Sequence, residues 1–143
     1  MITVRRRILT TIVLLSVAGI GVSSVSLYHH YGTSESSYCD FGANFNCDMV
    51  NRSVYSEVGG VPVALIGVLG YCGLLSLAVF YWRKGDAPVL LLMGSLAGLA
   101  FALYLTYIEG FVLAVWCALC LSSLGLISAI TVLSGWLNAH FDN

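Results

Sequence analysis

Two cysteines three positions apart, Cys117 and Cys120, lie inside the apolar run VLAVWCALCLSS (112–123). Cys-x-x-Cys is the spacing of a thioredoxin-type redox pair or of half a metal site. On a helix, residues i and i+3 share a face, which brings the two sulfurs within disulfide reach. A second pair, Cys39 and Cys47, lies in a polar stretch. Four such cysteines allow three chemistries. Two structural disulfides are one, but a bond between residues three apart in one helix braces little. A zinc site made of all four thiolates is another, yet the loop pair is spaced more widely than the usual two to four intervening residues. The third is a relay, in which thiol–disulfide exchange passes two electrons from one pair to the other through a mixed disulfide. The placement of the pairs favours the relay.

The elements that position these residues follow from composition. Of 143 residues, 59% are hydrophobic and 9% charged, against a usual charged share of about 25%. A bilayer is the solvent such a chain fits. The net charge of -1 carries no information about partners, and no basic patch suited to nucleic acid is present. Crossing the hydrocarbon takes roughly 20 apolar residues of helix. Four segments qualify: 8–28, 61–82, 88–108 and 111–137. The expected fold class is an all-α membrane protein. It is a single domain over 1–143, a four-helix transmembrane bundle with a cysteine-bearing outer loop (32–60) that contains a short helix in SVYSEV. The first segment is too long, and lacks the small-residue cleavage site, for a signal peptide.

Arg5, Arg6 and Arg7 precede the first helix, and Arg83 and Lys84 follow the second. Four spans put both groups on one side, which the positive-inside rule makes cytoplasmic, with both termini. Loop 32–60 and the short turn at Glu109-Gly110 then lie outside. On this reading no charged residue stands within a span. KGDAP (84–88) is a turn with Asp86 as candidate N-cap. Gly67, Gly70 and Gly73, and then Gly94, Ala97 and Gly98, allow close helix packing within the bundle. Cys117 is placed six residues into the fourth helix, about 9 Å deep at 1.5 Å per residue. That is too deep for much help from the helix N-terminus. Cys72 is expected to be a small buried core residue.

CDFGANFNCDMVNRS (39–53), GGVPVALIG (59–67) and CALC (117–120) together resemble the vitamin K epoxide reductase family, particularly its bacterial and archaeal branch. The resemblance covers essentially the whole chain. It implies a membrane oxidoreductase that couples thiols to a quinone, ubiquinone or a menaquinone of the vitamin K type. In the prokaryotic branch this regenerates the extracytoplasmic disulfide machinery, which places the chain in a prokaryotic cytoplasmic membrane. Cys39 and Cys47 match the family's shuttle, Cys117 and Cys120 its active-site pair, and Ser53 its serine above the quinone. Many prokaryotic members carry a fused thioredoxin-like domain. This chain stops at Asn143, so the implied partner is a separate thioredoxin-fold (DsbA-like) protein. Vertebrate members have a Tyr four residues after the helical pair, where Leu124 stands here, which weakens a reading as a reductase of vitamin K epoxide.

The resemblance also orders the exchange. The reduced partner attacks the Cys39–Cys47 disulfide at Cys39, the freed Cys47 attacks Cys117, and Cys120 leaves as the thiolate that faces the quinone. Ser53, Ile66 and Tyr104 are candidate quinone contacts, with Tyr107 a further aromatic near them. Arg52 is the one basic residue expected outside; it either pairs with Asp48 or Glu57 as a solvated loop arginine or stabilises a thiolate or a quinone oxygen. His29 and His30 end the first helix at the interface. Two alternatives remain: a vitamin K epoxide or quinone reductase running on external thiols, and a membrane metal–thiolate binder.

Overall fold

The structure, a computed structural model, describes residues 2–31, 54, 57–84, 88–114 and 116–141. Helix α1 covers Ile2–Tyr31. A hairpin of β1 (Glu57–Val58) and β2 (Val61–Pro62) leads into α2, Val63–Lys84. Helix α3, Val89–Tyr107, continues into a π-helical segment, Ile108–Leu113. Helix α4 spans Ala118–Phe141. All four helices are long and apolar enough to cross a membrane, and the fold is the expected four-helix membrane bundle.

Boundaries differ from expectation in ways that physical chemistry explains. Helix α1 begins at Ile2 because the arginines, good helix formers, extend it, and Arg5 Nη2 donates to the carbonyl oxygen of Tyr81 at 2.6 Å. That bond sets a cation on the C-terminal end of α2, where the helix dipole favours it. Lys84 lies over the Phe80 ring, 5.1 Å from its centre, at the same end. Pro88, rather than Asp86, occupies the N-cap of α3, and its carbonyl accepts the Leu92 N–H at 3.0 Å. Asp86 lies outside the described residues, as do Cys39, Cys47, Asp48, Arg52 and Ser53. The expected short helix in SVYSEV (53–58) does not extend to its last two residues. Glu57 and Val58 pair with Pro62 and Val61 in the hairpin. Gly59 and Gly60 both have positive φ, 61° and 85°, as a tight type I′ hairpin loop requires.

Helix α1 packs against α2 and α4, and α3 packs against α4. Their shared core contains Leu9, Ile12, Tyr71, Leu74, Ala78, Leu91, Ile130 and Leu137. A Cβ at Gly19 would overlap the Tyr71 ring, so this glycine fixes how closely α1 and α2 approach. Gly94 and Gly98 face inward, where added Cβ atoms would lie 3.4 Å from Leu74 and 3.2 Å from Ile127. The small-residue face of α3 is therefore used inside the bundle. Several hydroxyls in the spans bond back to their own helices, as Ser76 does to Cys72 O (2.9 Å) and Ser128 to Leu124 O (2.7 Å). This satisfies them without water. Leu14, Leu69, Met93 and Val132 are more than 60% exposed and form the lipid-facing surface. Cys72 belongs with them: it is exposed, not a core residue. A helix that is apolar on every side gives no periodicity from which its inner face can be read.

Candidate functional site

The largest departure from the expected fold lies at the thiol pair. The Glu109-Gly110 turn does not exist. The chain stays helical through Leu113 in wider π turns, and Ala114 then breaks it with a left-handed conformation, φ 53° and ψ 27°. Its N–H closes on the carbonyl of Glu109. A non-glycine residue held there costs roughly 1–2 kcal/mol, and such strain gathers at functional sites. Gly110 has its own reason: a Cβ there would lie 3.0 Å from the Trp116 ring.

Helix α4 accordingly begins at Ala118, seven residues later than expected, and Cys117 is its cap rather than a residue six positions in. The Leu121 N–H donates to the Cys117 carbonyl at 3.0 Å as the first bond of the helix. The expectation that Cys117 lies too deep for the helix N-terminus is corrected. The Cys120 thiol, one turn on, bonds to the Cys117 sulfur, and this contact does most to hold Cys117 below the ordinary thiol range. Backbone groups of Cys120 and Leu119 act in the same direction, while burial and the Glu109 charge oppose it. A thiol at a helix start is a common way to favour the reactive thiolate. Both sulfurs are free thiols here; Cys117 is fully buried and Cys120 partly so.

Glu109 is the residue the sequence reading misplaced. Its side chain is 2% exposed, within a span, not in a solvated turn. Oε2 accepts the backbone N–H of Cys117 at 3.2 Å. The Cys120 thiol stands beside the same carboxyl but completes no bond to Oε1, which is buried without a partner. A carboxyl is thus held against the thiol pair from a neighbouring turn. The only sequence sign of it is a lone acid within the apolar stretch Val89–Leu113, eight residues before Cys117.

Cys120 and Glu109 open onto a cavity of about 380 Å³ walled by all four helices. Its surface is mainly apolar, with Ile66, Phe101, Leu105 and Leu119 among the walls. The polar groups are few: Ser23 and Ser26 from α1, Tyr71 from α2, Ser123 from α4, and Glu109 itself. Tyr71 donates its hydroxyl to the Ser123 carbonyl at 2.9 Å and lies 2.9 Å from Ser123 Oγ, which ties α2 to α4 one turn beyond Cys120. Of the three nominated contacts, Ile66 lines the cavity. Tyr104 does not; it is 56% exposed on the outer face of α3. Tyr107 is also outward, with its ring 5.0 Å from that of Phe111. Tyr71 and Ser123 were not foreseen.

A four-helix membrane bundle with a Cys-x-x-Cys pair at a helix start, facing an apolar cavity, defines a membrane redox enzyme. Residues 10–135 match the vitamin K epoxide reductase family, and the chain belongs to that family.

Proposed function

We propose that this chain is a membrane thiol–quinone oxidoreductase. It takes electrons from a separate thioredoxin-fold protein through Cys39 and Cys47, passes them to Cys117 and Cys120, and delivers them to a quinone in the bilayer. The activity supports disulfide formation outside the cytoplasm of a prokaryotic cell. The observation that carries the reading is the opening of Cys120 onto an apolar cavity lined by all four helices. Ligand sites of this kind have apolar walls and a few placed polar groups, and a quinone ring with an isoprenoid tail matches both features.

A quinone supplies an acceptor for two electrons and two protons. The chain's own residues do the rest. The freed Cys47 thiolate attacks Cys117, whose bond to Cys120 breaks, and Cys120 takes the electron pair. The partner's second thiol releases Cys39 from its mixed disulfide, and the Cys39 thiolate closes on Cys47 and frees Cys117, leaving both thiols of the helical pair reduced. Tyr71, Ser123 and Ile66 bound the space in front of Cys120.

The purified chain in lipid nanodiscs, given a reduced thioredoxin-fold protein, is expected to convert added ubiquinone or menaquinone to the quinol. Quinol formation no faster than in protein-free nanodiscs would sink the reading.

The topology belongs to the same proposal, with both termini cytoplasmic and loop 32–60 outside. In intact, pre-reduced cells a membrane-impermeant maleimide should label Cys39 and Cys47 and spare Cys72. A lipid-soluble maleimide should reach Cys72, which faces outward from the middle of α2. Labelling of Cys72 by the impermeant reagent overturns the arrangement.

A further inference from the structure

Glu109 has no part in the exchange described above, yet it is placed to take one, provided that Cys117 and Cys120 are the redox pair of the proposed function. Opening their disulfide leaves a sulfur on Cys120 that must take up a proton, and closing it again must remove that proton. An unpaired thiolate against mainly apolar walls is costly. The group that handles the proton must already be in place.

Three features of Glu109 meet that need. Its carboxyl is anchored by the Cys117 N–H at 3.2 Å, so it moves with the pair. It stands beside the Cys120 sulfur. Its second oxygen, Oε1, is buried without a partner, in a residue that lines the cavity in front of Cys120. A buried acceptor left open is rare unless it has a use. The wide π turns that carry it are themselves frequent at functional sites. A carboxyl needed only to hold the Cys117 N–H would have served equally well as an amide.

We propose that Glu109 is the proton donor and acceptor of Cys120. When an attacking thiolate forms a bond to Cys117 and the Cys117–Cys120 bond breaks, the electron pair stays on the Cys120 sulfur and the Glu109 carboxyl gives it a proton. When the pair is reoxidised, the Cys120 thiol returns that proton to the Glu109 carboxylate as its electrons leave for the acceptor. The proton then passes along the cavity toward the reduced acceptor, and a proton taken up from the same path recharges the carboxyl for the next opening.

The test measures opening of the Cys117–Cys120 disulfide by dithiothreitol in a single turnover, without quinone, in a chain lacking Cys39 and Cys47. Among the described residues, the other titratable groups facing Glu109 are Cys117, Cys120 and, across the cavity, Tyr71. The fixed polar groups there are the hydroxyls of Ser23, Ser26 and Ser123. Glu109→Gln keeps an oxygen for the Cys117 N–H but carries no proton. It should slow opening by about 10- to 100-fold, the lower range of proton-transfer catalysis. The profile of rate against pH should lose the limb set by a carboxyl and follow only the ionisation of the dithiol. Glu109→Asp, one methylene short, should recover part of the rate and keep that limb. An E109Q protein that opens at the native rate with an unchanged profile overturns the proposal. So does an E109D protein no faster than E109Q. Should E109Q fail to fold, E109D alone decides, because a native rate in it overturns the proposal and a slowed rate with the limb retained supports it. Quinone is added last. If the disulfide opens as expected but quinone never re-forms it, Glu109 keeps its role and the reading of the acceptor fails.

Discussion

Replacing Cys120 by alanine should lower quinone reduction by roughly 1000-fold or more, the scale seen when a residue that forms the reacting bond is removed. The structure makes the reason specific. Cys120, not Cys117, opens onto the cavity, and Cys117 is fully covered. Without Cys120 no sulfur faces the acceptor, and Cys117 is left a lone thiol with no disulfide for Cys47 to open. Its thiolate should instead attack the Cys39–Cys47 disulfide at Cys47 and expel Cys39, so that a Cys47–Cys117 bond appears; in Cys39→Ala the same bond forms by attack of Cys47 on the Cys117–Cys120 disulfide and accumulates because no Cys39 remains to release it. The two variants part company with a small dithiol as reductant: Cys39→Ala retains turnover, whereas Cys120→Ala does not. The measurements are quinol absorbance and peptide mapping of the trapped bond. A Cys120→Ala protein with the native rate means that the sulfur nearest the acceptor has been misassigned. A trapped Cys39–Cys117 bond reverses the roles within the loop pair.

Gly19→Ala should lower stability by about 1–3 kcal/mol, the usual cost of overfilling a packed core. The added methyl overlaps the Tyr71 ring, which is buried in the shared core and has little room to move. Displacing the ring also breaks its bond to Ser123, on the turn of α4 that follows Cys120. Thermal unfolding in detergent should fall by several degrees, and the KM for quinone should rise with it. Gly21→Ala is the control, because nothing lies within 4 Å of its Cβ position. Equal melting temperatures for Gly19→Ala and the native chain would show that α1 and α2 do not pack as described.

The four spans were legible because hydrophobic length is a strong signal that needs no knowledge of packing. The cysteines were legible because their type and spacing restrict the chemistry. What stayed hidden depended on helix phase and on one unmarked break. Tyr104 and Ile66 are equally apolar choices for a wall, but only their rotation about the helix axis decides that Ile66 faces the cavity and Tyr104 the lipid. The break at Ala114 carries no glycine or proline. Glu109-Gly110 reads as a turn, so its acid was placed in solvent when the chain instead buries it against Cys117. The hairpin at Gly59-Gly60 could have been anticipated, since two adjacent glycines between short apolar stretches are a signature of that loop.

The π turns at Ile108–Leu113 set the timing of everything that follows them. Each residue of an α-helix advances the chain by about 100° around its axis, and a π turn absorbs one residue that an α-helix would have spent on rotation. Rewound as ordinary helix at the same length, the segment would swing the break and the start of α4 a quarter-turn or more out of alignment with α3. The six residues Ile108–Leu113 therefore act as a gear tooth.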